Sequence, residues 1–527
     1  MSADDLNLEM SAIDSLISKG DFHEALHRTN LLREIFPEDR IVMLNTTVFL
    51  SEIGAHTRNE GVLTSALAEL VRFREEASYE PYRAQISFAL GNGYSNLYTM
   101  KMEREKRVAQ LFRDSYLQEA KKYQRETTKL VGKEDSELFA RAHTNLGNTL
   151  DALGRAVEAL LEYDDALRAK PTHAMAKCNK AMALRNLSSI CGEGYTVPTL
   201  IEAYQILASV LQDGKGAGGL DSDAKSTFDA VARSIREEFD NPEILKVDLT
   251  HDKFDASGMT EFEKFYVRFC SDRRLFLNFH VIDHECEAAI VDPIFLSHIG
   301  GLEDEKKAYD LFKYFNQIKE DYMVARMMLV ESQYRRPDLD SISKRTTLVN
   351  TLDYSVFNIY AGYLKSSFKQ AYGILDKIAI LINRFLDMGL QDKKIAFDEI
   401  KGKRSIWNDS NDEPRMKVVE RENLALYALY DIARDLNSAK FRELRAIRHA
   451  LVHRRLLVYE DWAAPTLKDA EDSTTYDRLL SDTISLMRLV KAAIVYLFAF
   501  VDSENRKKRE GLEGPVMRLH LDDSQGI

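Results

Sequence analysis

Ten prolines and four cysteines are all that 527 residues contain. So few prolines leave long stretches of Ala, Leu, Glu, Lys and Arg unbroken, which predicts a chain that is mostly helix. Cys178, Cys191, Cys270 and Cys286 form no dense framework, and Met1-Ser-Ala-Asp-Asp has no secretion-signal character. Both features point to a reducing cytoplasm. Long apolar runs are also missing. The most apolar helix, 484–501, is interrupted by Arg488 and Lys491, and the remainder from Ala492 to Val501 is too short to span a bilayer. It reads as a buried core helix, with no membrane association. The glycine-rich run 213–219 lacks the lysine-serine/threonine ending of a phosphate loop and reads as a linker. Excess positive charge is absent too: the net charge of -12 excludes a general polyanion binder. It leaves room for a local basic site, because field depends on where charges lie.

What is present is an ordinary balance, 45% hydrophobic and 30% charged residues, and enough length for about three domains. The first is a helical array. From Ala140 to Pro171, Leu146-Gly147, Leu150, Gly154, Ala159, Tyr163 and Ala166 match the offsets of a tetratricopeptide unit of two antiparallel helices. Gly147 and Ala159 let the backbones approach, Gly154 breaks the hairpin and Pro171 stops the second helix. His143 stands where such repeats usually carry a bulky aromatic. Ile13, Leu16, Gly20, Ala25, Leu32 and Pro37 repeat the pattern. A third unit begins near Ala84, with its second helix displaced to 104–125. Helices over 174–187, 197–211 and 222–239 extend the array. Its concave face suits a protein or peptide trigger, or a second protomer.

Between 242 and 300 the texture changes. Phe265–Cys270 and Leu275–Ile282 are aromatic and branched, and read as strands or extended segments. Cys270, His280, His284 and Cys286 match no compact zinc spacing, so packing roles are expected and no metal or cofactor. Helices follow at 306–315 and 322–334, where Arg326, Arg335 and Arg336 are surface cations or groove-lining residues. Four longer helices, 354–386, 417–435, 439–459 and 475–501, suggest an up-down bundle. Buried stripes run through Tyr360, Leu364, Phe368, Tyr372, Leu375 and Ile382 in the first, and Leu486, Leu489, Ala493, Tyr496 and Phe500 in the last. The expected division is 1–240 repeats, 241–345 connecting domain, 346–510 bundle and 511–527 tail.

The chemistry concentrates at Arg-His-Ala-Leu-Val-His, 448–453. Between Lys440 and Arg455 lie six cations, Lys440, Arg442, Arg445, Arg448, Arg454 and Arg455, against the single acid Glu443. Imidazoles move protons near neutral pH and guanidinium groups hold phosphate oxygens. Leu444, Ile447 and Leu451 should face the bundle, with Arg448 at the edge of that stripe. His449 and His453 share a neighbouring face with Arg445. Arg448 and His453 are about 140° apart around the axis, so one helix does not converge them. Two copies across a symmetry axis, or a neighbouring helix, would. Basic helix faces are common, and a solvated surface is the bland alternative.

This segment resembles the signature of the HEPN superfamily, an arginine, a polar residue, three variable residues and a histidine, matched by Arg448, His449 and His453. The order of parts is similar to bacterial proteins that join tetratricopeptide repeats to a C-terminal HEPN domain. The resemblance implies a predominantly α chain ending in a HEPN-like bundle, dimeric through it. It implies metal-independent endoribonuclease activity by 2'-hydroxyl attack, in defence or stress responses. His453 would then be the main acid or base, Arg448 the phosphate holder and His449 a helper, with Arg445 and Arg454 on the RNA backbone. Some members of the superfamily do not cut, so a noncatalytic adaptor and an RNA-binding regulator are the alternatives.

Overall fold

The computed structural model describes residues 3–105, 114–190, 193–212, 220–249, 255–279, 286–296, 305–349, 351–398, 404–408, 415–438, 441–463 and 472–509. Cys191, His280, His284, Lys440, the run 213–219 and the tail 511–527 lie outside them. The chain is almost entirely α-helical and divides into two compact units, Met1–Leu187 with Leu200–Leu245, and Ser188–Thr199 with Lys246–Ile527.

The first unit is a repeat-like array of paired helices: α1 (Ala3–Lys19), α2 (Phe22–Ile35), α3 (Arg40–His56), α4 (Glu60–Glu75), α5 (Arg83–Glu105), α6 (Ser115–Leu130), α7 (Ser136–Ala152), α8 (Ala156–Ala169) and α9 (Ala174–Ile190). The later part of α10 (Glu193–Gln212) and all of α11 (Ser222–Glu237) complete it. Side-chain caps set the starts. Asp21, Asp39, Asn59, Asp114, Asp135 and Asp221 each accept a first-turn N–H. Gly20 and Gly154 close the α1–α2 and α7–α8 turns at positive φ, +82° and +77°. In both turns the next residue's N–H reaches back five residues, Asp21 to Leu16 and Arg155 to Leu150. That double closure ends a right-handed helix at a glycine. Gly147 lies against Tyr163, where a Cβ would stand 2.6 Å from the ring. His143 is buried on Phe139, ring centroids 4.2 Å apart, and its Nδ1 is 2.7 Å from Glu162. The pair α3–α4 was not read from the sequence. The expected helix over 104–125 is instead the end of α5 and the start of α6 at Ser115, capped by Asp114.

The second unit corrects the expected strands. Phe265–Cys270 lies within a helix, α12 (Glu261–Asp272), because Thr260 and Glu263 form a reciprocal N-terminal cap just ahead of it. Its aromatic residues then pack at helical spacing, with Phe265 beside Phe269. Residues 275–279 are neither helix nor strand. The two helices expected over 306–334 are one, α13 (Glu305–Glu331), followed by the short α14 (Pro337–Ser343). Arg326 is no surface cation. It is 2% exposed, ion-paired to Asp292 and hydrogen-bonded to Tyr266 and the Leu275 carbonyl.

The bundle then comprises α15 (Ile359–Phe385), the one-turn α16 (Met416–Val419), α17 (Leu424–Asn437), α18 (Arg442–His453) and α19 (Tyr476–Arg509). The expected helix over 417–435 is broken at Glu422, whose φ is +47°, so that Asn423 can cap α17. The expected helix over 439–459 stops at His453. Beyond it Leu457–Tyr459 forms a strand, β3, parallel to β4 (Ser473–Thr475), and β4 leads directly into α19. A second parallel pair, β1 (Ile395–Ala396) and β2 (Arg404–Ser405), flanks α15. The apolar stripes expected in α15 and α19 are buried as read. The full α19 carries an apolar window long enough to cross a membrane, but 83% of it is buried inside the fold. It is the core helix on which α13, α15 and α17 pack.

That burial takes Lys491 with it. Desolvation, with Arg274, Arg326 and Arg488 nearby and only Asp292 opposing them, pulls its ammonium down to about 7 from 10.5. Between those values the unfolded chain binds the extra proton, so stability rises with pH across that window. Lys491→Met is expected to melt at a higher temperature than the parent at pH 7, with the gap narrowing towards pH 10. Thermal unfolding at both pH values checks this.

Packing around two glycines gives a second expectation. A Cβ on Gly147 must displace the buried Tyr163 ring, whereas one on Gly373 in α15 meets nothing within 4 Å. Gly147→Ala should cost about 1–3 kcal/mol. Gly373→Ala should stabilise by about 0.5–1 kcal/mol. Denaturant unfolding followed separately for each transition distinguishes them.

Candidate functional site

Two helices and one strand end build the site. Tyr372 and Asp376 lie one turn apart on α15, and Arg445 and Arg448 are three residues apart on α18. Asp398 follows β1 by two residues. The Arg448 Nη2 donates to Asp376 Oδ2 at 2.9 Å, while Asp376 Oδ1 accepts the Phe397 N–H at 3.1 Å. The guanidinium also lies over the Tyr372 ring, 4.7 Å from its centroid. Beneath it the Tyr372 hydroxyl donates to Asp398 Oδ2 at 2.8 Å. Arg445 Nε stands 3.8 Å from the same oxygen.

These contacts fix orientations and the protonation of Tyr372. Asp398 is 1% exposed, and a buried carboxylate needs a partner for each charge it keeps. Burial, then the charge of Asp398, holds the Tyr372 hydroxyl far above its ordinary range, so it stays a donor. Arg448 is clamped between carboxylate and ring, yet its side chain keeps 23% of its exposure. It sits at the edge of the Leu444–Ile447 stripe, as its spacing predicts; those two residues are buried and Leu451 is partly so.

The imidazoles point elsewhere. His449 and His453 are both exposed, with ring centroids 5.2 Å apart and planes inclined at 52°. Among the described residues neither makes a hydrogen bond or ion pair, and the ring that Arg448 lies over is that of Tyr372. The fold thus brings the two histidines together and brings Arg448 to an acid, without joining the two sets. Arg445 faces Asp398 and donates from Nη1 to Asn437 at 3.3 Å. Arg454 is at the helix end, bound to Asp472 at 3.0 Å. The one acid of the segment, Glu443, is ion-paired with Arg478 of α19 at 2.6 Å. Next to Arg445, a cavity of about 280 Å³ is lined by Trp407, Tyr430, Arg434 and Asn437.

Asp376, Asp398 and Asn437 escaped the sequence reading, and Tyr372 was read only as core. One signal was available: Asp376 interrupts the apolar face of a long helix, and a carboxylate there requires a cation from a neighbour. Among the described residues one trio could hold a metal ion, His143, Glu162 and Asp165 of the first unit, with ligand atoms within 4.8 Å of one another. It is far in sequence from the 448–453 segment.

Against known proteins, residues 302–504 match the model of the LA2681-like HEPN family. No curated protein matches the chain. The C-terminal region therefore contains a HEPN-family domain, and Arg448, His449 and His453 all fall inside it.

Tyr372→Phe removes the hydroxyl hydrogen bond from a buried carboxylate and should destabilise the second unit by about 1–3 kcal/mol. Chemical denaturation measures it. An unchanged transition would mean that Asp398 takes no support from Tyr372.

Proposed function

We propose that the chain is a metal-independent endoribonuclease whose reaction centre is the exposed face of α18. The observation that carries this reading is the arrangement of Arg448 and the histidine pair within a HEPN-family domain: a positioned guanidinium and two solvent-facing imidazoles on one helix. In the proposed reaction a histidine takes the proton from the ribose 2'-hydroxyl, whose oxygen attacks the adjacent phosphorus. The bond to the 5'-oxygen breaks, and that oxygen takes a proton from the second imidazole. The products are a cyclic phosphate and a free 5'-hydroxyl. His453 has the main acid or base role and His449 shares proton transfer. Arg448 holds the phosphate as negative charge builds on its oxygens. Arg445 and Arg454 contact the RNA backbone.

Around the axis of α18, Arg448 and His453 diverge, so a second α18 from another copy of the chain supplies the complementary set. A homodimer through the bundle is the proposed active form, restrained by the repeat array until a protein or peptide signal arrives. Such restraint suits a role in defence or stress, where unregulated RNA cleavage would harm the cell. The adaptor reading draws on the Asp376 contact, which already occupies one edge of the Arg448 guanidinium.

In excess chelator the chain is expected to cut single-stranded RNA to 5'-hydroxyl products. Arg448→Ala and His453→Ala should each lower the rate roughly 100-fold or more. Gel analysis of end-labelled RNA reads both, and native mass measurement reads the dimer. RNA left intact under every activating condition supports the adaptor instead, and an active monomer defeats the two-copy site.

A further inference from the structure

A cavity of the first unit shares no residue with α18. It is an open groove of about 850 Å³, within the usual range of ligand sites, ~300–1,000 Å³. Its walls come from every second helix, α1, α3, α5 and α7, with α6 forming part of the floor. In a stacked array those helices line the concave face.

The lining is amide-rich, and its amides are only partly used. Asn145 Nδ2 donates to Asn92 Oδ1 at 2.7 Å, and Asn148 Oδ1 accepts from Tyr163 and Asn179. A carboxamide offers two donor hydrogens and an acceptor oxygen. Among the described residues the Asn145 oxygen and the Asn92 and Asn148 nitrogens have no further partner, which leaves them for a ligand. Gln124 goes further. It is 3% exposed, its Nε2 donates to Ser95 at 3.0 Å, and its Oε1 has no partner among the described residues. It packs there because Gly91 has no side chain; a Cβ at that position would stand 2.7 Å from Gln124 Cγ. A buried amide oxygen without a donor is costly unless something brings one.

At the α1 and α3 side stand two carboxylates, Asp14 and Glu52, and neither makes an ion pair among the described residues. Burial, and then the nearby charge of Asp14, raise the Glu52 carboxyl above its ordinary range. Arg141 is the cation whose charge reaches Glu52, but its guanidinium lies over Phe88, 5.1 Å from the ring centroid, not on either acid. The groove thus has open amide donors and acceptors along one part and, at another, two acids with no ion-pair partner among the described residues.

We propose that this groove binds a short extended peptide, its free α-amino group between Asp14 and Glu52 and its main-chain amides on Asn92, Gln124 and Asn145. A peptide backbone is the ligand that repeats N–H and C=O in alternation, which is what open carboxamides match. The acids select a free amino end over an acylated one.

Two synthetic random libraries of short peptides test this, identical except that one is N-acetylated. Each is passed over the immobilised full chain, and retained peptides are quantified by mass spectrometry. The free-amine library should be retained at least tenfold more strongly, and the D14N/E52Q double variant should lose that preference. Asn145→Ala, should the double variant fail to fold, is expected to lower retention several-fold. Equal retention of both libraries, no retention of either, or unchanged retention by folded variants would overturn the proposal. Because the readout is binding alone, it stands or falls separately from RNA cleavage.

Discussion

The geometry around the 448–453 segment rests on one requirement: a guanidinium at the edge of a helical core has to be paired without being sealed. Asp376 meets it. The carboxylate sits on α15, whose inner face is otherwise mostly apolar, and its second oxygen is held by the Phe397 N–H. That bond orients the carboxylate towards the arginine. Tyr372 adds a ring below the guanidinium, and Asp398 in turn fixes the Tyr372 hydroxyl. Through this chain of contacts the rotation of α18 about its own axis is set by α15 and the two residues after β1. With that rotation fixed, Leu444 and Ile447 go inward and both histidines go outward.

The same logic explains why α18 is strongly amphipathic despite its cations. Each arginine that approaches the core meets a counter-charge or a polar neighbour: Arg448 with Asp376, Arg445 with Asp398 and Asn437. The net acidity of the chain says little about this surface. Glu443, which would otherwise temper the basic face, is engaged by Arg478 on a different helix. The local balance near the imidazoles is set by which acids the fold diverts, a property of tertiary structure.

Helical periodicity was legible because it survives in one dimension. Gly20 and Gly154 announced their turns, the stripes of α15 and α19 announced their buried faces, and Arg448 announced its edge position. Strand content was misjudged at Phe265–Cys270, where aromatic composition outweighed the cap formed by Thr260 and Glu263 two to five residues upstream. Breaks were missed where a single positive φ decides, as at Glu422. The partners of the basic segment were invisible for a simpler reason: Asp376 and Asp398 are 72 and 47 residues away from the arginines they face. No local pattern encodes such a pairing, except that an acid on an apolar face implies a cation somewhere.

The three-residue parallel ladder after α18 has a mechanical meaning. Its first strand begins four residues beyond His453, and its second runs without interruption into α19, the helix buried at the centre of the unit. The histidine-bearing end is thereby joined, through residues 454–456 and the ladder, to the buried central helix. A large displacement of that end would pull on the ladder through residues 454–456. A regulator acting on these rings works most cheaply by changing what approaches them, leaving their own platform still.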